Sequence, residues 1–140
     1  MNRNRKVDIC NFGQSYIKKQ ISILSQKSRK IHHTGDIEFL HKSRVATRKL
    51  RSGLDVFHQC ITPEKYEIWY YEVKRATKVL GKVRDLDVQI DFLTKFLKDL
   101  DKPRYEDGIK RLKLRLKQQR IKRQAKIENA MNELNKGELF

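Results

Sequence analysis

His41, Arg44, Arg48 and Arg51 recur every three or four residues along one stretch of the chain. That is the spacing of neighbours on a helix face. A guanidinium is a planar fork that bonds the oxygens of phosphate or carboxylate in pairs. From Arg44 to Arg51 the row covers about 10 Å of helix axis, enough for a repeating anion to meet successive forks. Like charges at this spacing repel by a few tenths of a kcal/mol per pair, and only Asp55 dilutes the row. The bland alternative is a solvated basic face, the usual fate of charge runs on helices. A histidine such as His41 is, taken alone, more often a capping or hydrogen-bonding residue than a ligand.

The row acquires a direction on a helical wheel. With His41 at zero, Phe39, Ala46, Leu50, Leu54 and Phe57 fall between roughly 140° and 220°. His41, Arg44, Arg48, Arg51 and Asp55 fall between roughly 280° and 360°. The spacing therefore predicts a core face and a basic face nearly opposite one another.

A second cluster stands at Leu80-Gly-Lys-Val-Arg-Asp-Leu-Asp-Val88. Asp85 and Asp87 are close enough in sequence for acid–base work or for holding a divalent cation. Arg84 beside them points equally to a structural role, and Asp85 can cap a helix segment resuming after Gly81.

Helices must position both clusters. The 140 residues favour one domain, 1–140, and only six glycines and two prolines punctuate them. The first helix is expected over about 8–31, with Ile9, Phe12, Tyr16, Gln20, Leu24 and Ile31 near one stripe. His32-His33-Thr34-Gly35 reads as a turn and Asp36 as the cap of a second helix, over about 36–60. Thr62-Pro63-Glu64 opens a third, over about 63–100, with Trp69, Val73, Ala76 and Leu80 as its tight stripe and a kink near Gly81. Leu86, Ile90, Leu93, Leu97 and Leu100 continue that stripe. Pro103 ends this run, and a fourth helix follows over about 104–134. The expected fold is all-α, a four-helix bundle of long antiparallel helices with short connections.

Net charge is +16. Such an excess repels itself and calls for an anionic partner, with nucleic acid, an anionic membrane and a phosphate chain as the classes. No apolar run approaches the roughly 20 residues that span a bilayer, and no signal-type segment follows the basic start. Cys10 and Cys60 have no metal-site spacing. They read as two thiols in a reducing cytosol rather than as a disulfide, so the expected location is cytoplasmic.

Taken together, the two clusters resemble a known family. His41-Lys-Ser-Arg44-Val-Ala-Thr-Arg48-Lys-Leu-Arg51 resembles the signature helix of the CHAD family, named for a conserved histidine in an α-helical domain. Leu80-Gly81 before Arg84-Asp85-Leu86-Asp87-Val88 resembles its second hallmark, at a fitting distance. The resemblance implies a helical bundle that binds inorganic polyphosphate through basic residues and is not an enzyme. Residue by residue it reaches His41, Arg44, Arg48, Lys49 and Arg51, then Lys74, Lys82 and Arg84. Lys49 stands where the family often has arginine, keeping the charge and losing the fork. Asp85 and Asp87 take supporting roles, orienting nearby cations. A full CHAD domain resembles two four-helix halves around a basic channel, and this chain matches the first half. The chain is then either a fragment or a half-length form, and for a half-length form the expectation is a homodimer, paired about a two-fold axis, that rebuilds the channel.

The fourth helix adds a pattern of its own. Arg120 and Arg123 lie within the stripe of Ile109, Leu112, Leu116, Ile127, Ala130, Met131 and Leu134. A charge in an apolar stripe is costly unless paired. The two arginines either line the end of the channel, as expected here, or snorkel past the core.

Two other functions compete. Residues 113–123 are basic enough for nucleic acid, but neither a helix-turn-helix spacing nor an aromatic platform interleaved with cations accompanies them. An accessory role beside a polyphosphate- or triphosphate-processing enzyme also fits. The Glu-x-Glu-x-Lys strand motif of the tunnel domains often joined to this family is absent, and no serine or cysteine is placed with a base. His32, His33, His41 and His58 do not form a metal-ligand set, because His41 and His58 lie on different faces. No cofactor or metal is expected.

Overall fold

Thr62 starts the longest helix as its sequence predicts. Its hydroxyl accepts from the Lys65 N–H, Pro63 occupies the first turn, and Glu64 faces the positive helix end. The computed structural model describes residues 3–28 and 37–136, and over these the chain is all-α. The helices are α1 (Arg3–Ser28), α2 (Ile37–Val56), α3 (Pro63–Lys98) and α4 (Glu106–Lys136), with short 3-10 turns at His58–Cys60 and Pro103–Tyr105. The expected end of the first helix near Ile31, the turn at His32–Gly35 and the Asp36 cap lie outside the described residues. α1 begins five residues earlier than expected. α3 runs from Pro63 to Lys98 as one helix and carries Gly81 within it.

α1 packs on α2, α2 on α3 and α3 on α4, and α4 returns to α1. This closed cycle is that of an up-down bundle. Its core is built from Ile17 and Leu24 of α1, Leu40, Leu50 and Leu54 of α2, Trp69, Val73, Leu80 and Val83 of α3, and Ile127, Met131 and Leu134 of α4. Two glycines let α1 and α2 approach. A methyl group at Gly13 would meet the Phe57 ring at 2.5 Å, and one at Gly53 would meet the Tyr16 ring at 3.0 Å.

The stripe of α1 differs from expectation. Ile17, Gln20 and Leu24 are buried, whereas Ile9 and Phe12 are exposed. Phe12 lies about 140° around the helix from Ile17, off the buried face that carries Gly13, and meets Phe57 edge to face.

The two-thiol reading is corrected. Cys10 and Cys60 form a disulfide that ties the first half of α1 to the 3-10 turn after α2. Disulfides persist chiefly in oxidising compartments, so the support that free thiols lent to a cytoplasmic location falls away. Sequence spacing could not reveal the pair, because the packing of α1 on α2 brings together two cysteines separated by 50 positions. No helix among the described residues is long and apolar enough to cross a membrane.

Lengths also set the overall shape. At about 1.5 Å per residue, α3 with 36 residues and α4 with 31 far outreach α2. No residue in 87–119 is fully buried. The outer half of the α3–α4 hairpin therefore stands clear of α1 and α2.

Candidate functional site

The basic row is carried by α2 and is exposed along its length: His41, Arg44, Arg48 and Arg51 all face water. It does not lie opposite the core. Leu40, Ser43 and Thr47 are buried in addition to Ala46, Leu50 and Leu54, which widens the core face towards the row. The wheel misplaced this edge because it left out Leu40, Ser43 and Thr47. Thr47 is tolerated inside because its hydroxyl bonds locally, to the Arg44 carbonyl at 2.8 Å. The row thus borders the seam between α2 and α3.

Contacts across that seam confirm its position. Arg51 donates from Nε to the Tyr70 hydroxyl at 3.0 Å, and its guanidinium lies 5.3 Å from the centre of the Tyr70 ring. Tyr70 stacks on Tyr66 at 5.6 Å. The Tyr66 hydroxyl donates to Asp55 Oδ1 at 2.8 Å, and this bond to a carboxylate raises the Tyr66 pKa above its usual 10.0. The acidic member of the row is thereby engaged from α3. The role of these tyrosines at the seam is not among the expectations from the sequence. Their four-residue spacing on the face next to Trp69 was the available signal.

These two contacts set the antiparallel register of α2 and α3. Each step towards the start of α2 matches a step towards the end of α3. Lys74 is then about level with Arg48, Gly81 with His41, and Lys82 and Arg84 with the first turn of α2. Lys74 and Lys82 are exposed. Arg84 is half-buried, and its Nη1 has no hydrogen-bond partner among the described residues. Lys74 and Arg84 therefore lie on the α3 face that carries Tyr70, whereas Lys82 is about 100° around the helix from Gly81, off that face. Lys49 is exposed but sits about 100° around the helix from Arg48, off this line. Among the described residues no carboxylate pairs with Arg44, Arg48, Lys49, Lys74 or Lys82, whereas Lys42 beside them is paired with Glu38 at 2.5 Å.

Arg120 is not part of this surface, which corrects its expected place at a channel end. Its guanidinium is buried between helices, donating from Nε to Asp87 Oδ1 at 2.9 Å and from Nη1 to Gln124 Oε1 at 3.1 Å. Asp87 supports a cation, but one inside the α3–α4 seam. Arg123 is half-buried on α4, and Asp85 is exposed on α3. Among the described residues no three His, Cys, Asp or Glu side chains gather in a metal-binding group.

Chemically, the seam offers a line of exposed cations, of which Arg51 is oriented by Tyr70. Such an arrangement can hold an extended anion by charge and bidentate hydrogen bonds. Compared with known families, residues 15–139 match the model of the CHAD domain. No curated protein and no solved structure matches the chain.

Proposed function

The chain belongs to the CHAD domain family, and from that premise we propose that it binds inorganic polyphosphate along the α2–α3 seam without catalysing a reaction on it. The observation that carries the proposal is the row Arg44, Arg48 and Arg51, exposed, with Lys74 about level with it on α3 and no carboxylate balancing Arg44 or Arg48 among the described residues. Unbalanced cations at this spacing repel one another, and a polyanion relieves that repulsion. Arg51 is pre-oriented by Tyr70, which lowers the ordering cost of one contact. His41 stands near the far end of the row and Arg84 beyond it. By this reading Arg120 and Asp87 hold the scaffold, Asp85 accompanies Arg84 at the rim, and a second copy of the chain supplies the facing wall of a channel. Titration of polyphosphate into the Arg44→Ala, Arg48→Ala, Arg51→Ala triple variant tests the assignment. Loss of binding with helicity retained supports it, and unchanged affinity refutes it.

One observation favours a nucleic-acid reading, the Tyr66–Tyr70 stack next to Arg51. Aromatic rings beside cations are what unpaired bases stack on. Here the two rings are half-buried and occupied by each other and by Asp55, which leaves less face for a base. Competition between polyphosphate and single-stranded DNA at equal phosphate concentration separates the two ligands.

A further inference from the structure

The outer half of the α3–α4 hairpin carries an apolar face that the other described residues leave uncovered. Val88, Phe92, Phe96, Tyr105 and Leu112 are between 43% and 63% exposed. They border two neighbouring hollows, one of about 360 Å³ between Phe92, Leu93, Leu112 and Leu116, and one of about 450 Å³ between Phe96, Leu100, Ile109 and Leu112. Phe92 and Phe96 stack on each other at 6.1 Å between the hollows.

The face is turned away from the core of its own chain. On the α3 wheel with Val73 at zero, the buried stripe from Trp69 to Val83 lies between roughly −80° and 0°, and Phe92, Leu93, Phe96 and Leu100 lie between roughly 100° and 200°. The apolar stripe changes sides where burial stops, at Leu86. α1 and α2 are therefore on the wrong side, as well as too short, to cover it.

We infer that this face is the docking surface for a second copy of the chain, the two hairpins packing about a two-fold axis into a four-helix cluster. Area supports that occupant. At about 150–250 Å² per aromatic side chain, the exposed parts of the three rings with Val88 and Leu112 amount to roughly 450 Å² of apolar surface. A standard interface takes about 800 Å² from each partner, about 60% of it apolar, so the face supplies what one side needs. Shape supports it too. An isologous contact requires one patch to hold both projecting and receiving parts, and here the stacked rings project beside the two hollows.

Gln89 and Arg104 are the polar residues that line the hollows, and nearby Lys95 is neutralised by Asp91 at 2.8 Å. The inference names the surface for the pairing of copies and does not require the ligand: if it fails, the α2–α3 row still binds or does not bind polyphosphate on its own.

Sedimentation of the whole chain at about 1–100 µM, in salt high enough to screen its charge and without polyphosphate, is the test. The expected result is a concentration-dependent dimer, converted to monomer by Phe92→Glu or Leu112→Glu with helicity unchanged. A wild-type monomer throughout the range overturns the proposal, and so does a dimer that survives both variants. If the variants lose helicity, hydrogen exchange of the wild-type chain decides. Protection of residues 88–98 and 106–116 that rises with concentration supports the surface, and protection independent of concentration rejects it.

Discussion

Arg120 of α4 donates to Asp87 of α3 at 2.9 Å, and this pair stands where the closed bundle ends. Leu86 is the last buried residue of α3 and Arg120 the first of α4. The Arg120 side chain is 7% exposed and that of Asp87 21%. Removing one partner of a buried pair strands the other charge, at a cost of about 3 kcal/mol or more. Asp87→Ala and Arg120→Ala should each lower the unfolding free energy by about that amount in denaturant titrations. The double change Asp87→Leu with Arg120→Met should recover most of the loss. It should leave polyphosphate affinity within about twofold of wild type, because a residue inside the seam makes no ligand contact.

The disulfide closes a loop of 50 positions. By chain entropy such a crosslink stabilises by about 4 kcal/mol. Reduction, or Cys10→Ser with Cys60→Ser, should shift the denaturant midpoint down accordingly. Loss of helicity should begin in the first turns of α1, whose outer residues have few other contacts. Equal stability of oxidised and reduced protein would contradict the staple.

Gly81 sits inside α3 with no atom within 4 Å of where a methyl group would stand. A mid-helix glycine costs about 1 kcal/mol relative to alanine, and here nothing obstructs the replacement. Gly81→Ala should raise the melting temperature by about 2–4 °C. Gly81→Glu places a carboxylate about level with His41 and should weaken polyphosphate binding while leaving the helix content unchanged.

Tyr66 gives the pH signature of the seam. Its pKa is raised because its hydroxyl donates to Asp55. The neutral phenol is thus favoured in the folded state. The stabilisation is complete below pH 10, the ordinary value, and is lost as pH rises through the higher folded value. Asp55→Asn should bring the Tyr66 titration, followed by NMR of its ring, back towards 10.

The residues show why some features were legible in the sequence and others were not. Thr62-Pro63-Glu64 announced α3 because capping is local chemistry. Trp69, Val73, Ala76 and Leu80 announced its core face because burial on a helix repeats with its period. Arg120 was legible as an anomaly in the α4 stripe, but its partner was not, since Asp87 lies 33 positions away. Ile17 displaced Phe12 in the core because the face of α1 that α2 covers runs through Gly13, Ile17, Gln20 and Leu24, and a glycine in that line gives no apolar signal. The edge of the basic row was misjudged because hydropathy does not mark Ser43 and Thr47 as buried, and Thr47 buries with its hydroxyl bonded to the Arg44 carbonyl.

The central claim is that Arg44, Arg48 and Arg51 hold polyphosphate at the α2–α3 seam. Calorimetric titration of long-chain polyphosphate at several salt concentrations, with wild type and the triple alanine variant side by side, tests it most directly. Each lost phosphate contact should reduce the slope of log affinity against log salt by about 0.7. The predicted result is a slope shallower by about 2 and an affinity at least about 100-fold lower, given about 1.5 kcal/mol or more per charged hydrogen bond. An unchanged slope and affinity in a variant of wild-type helicity would contradict the account.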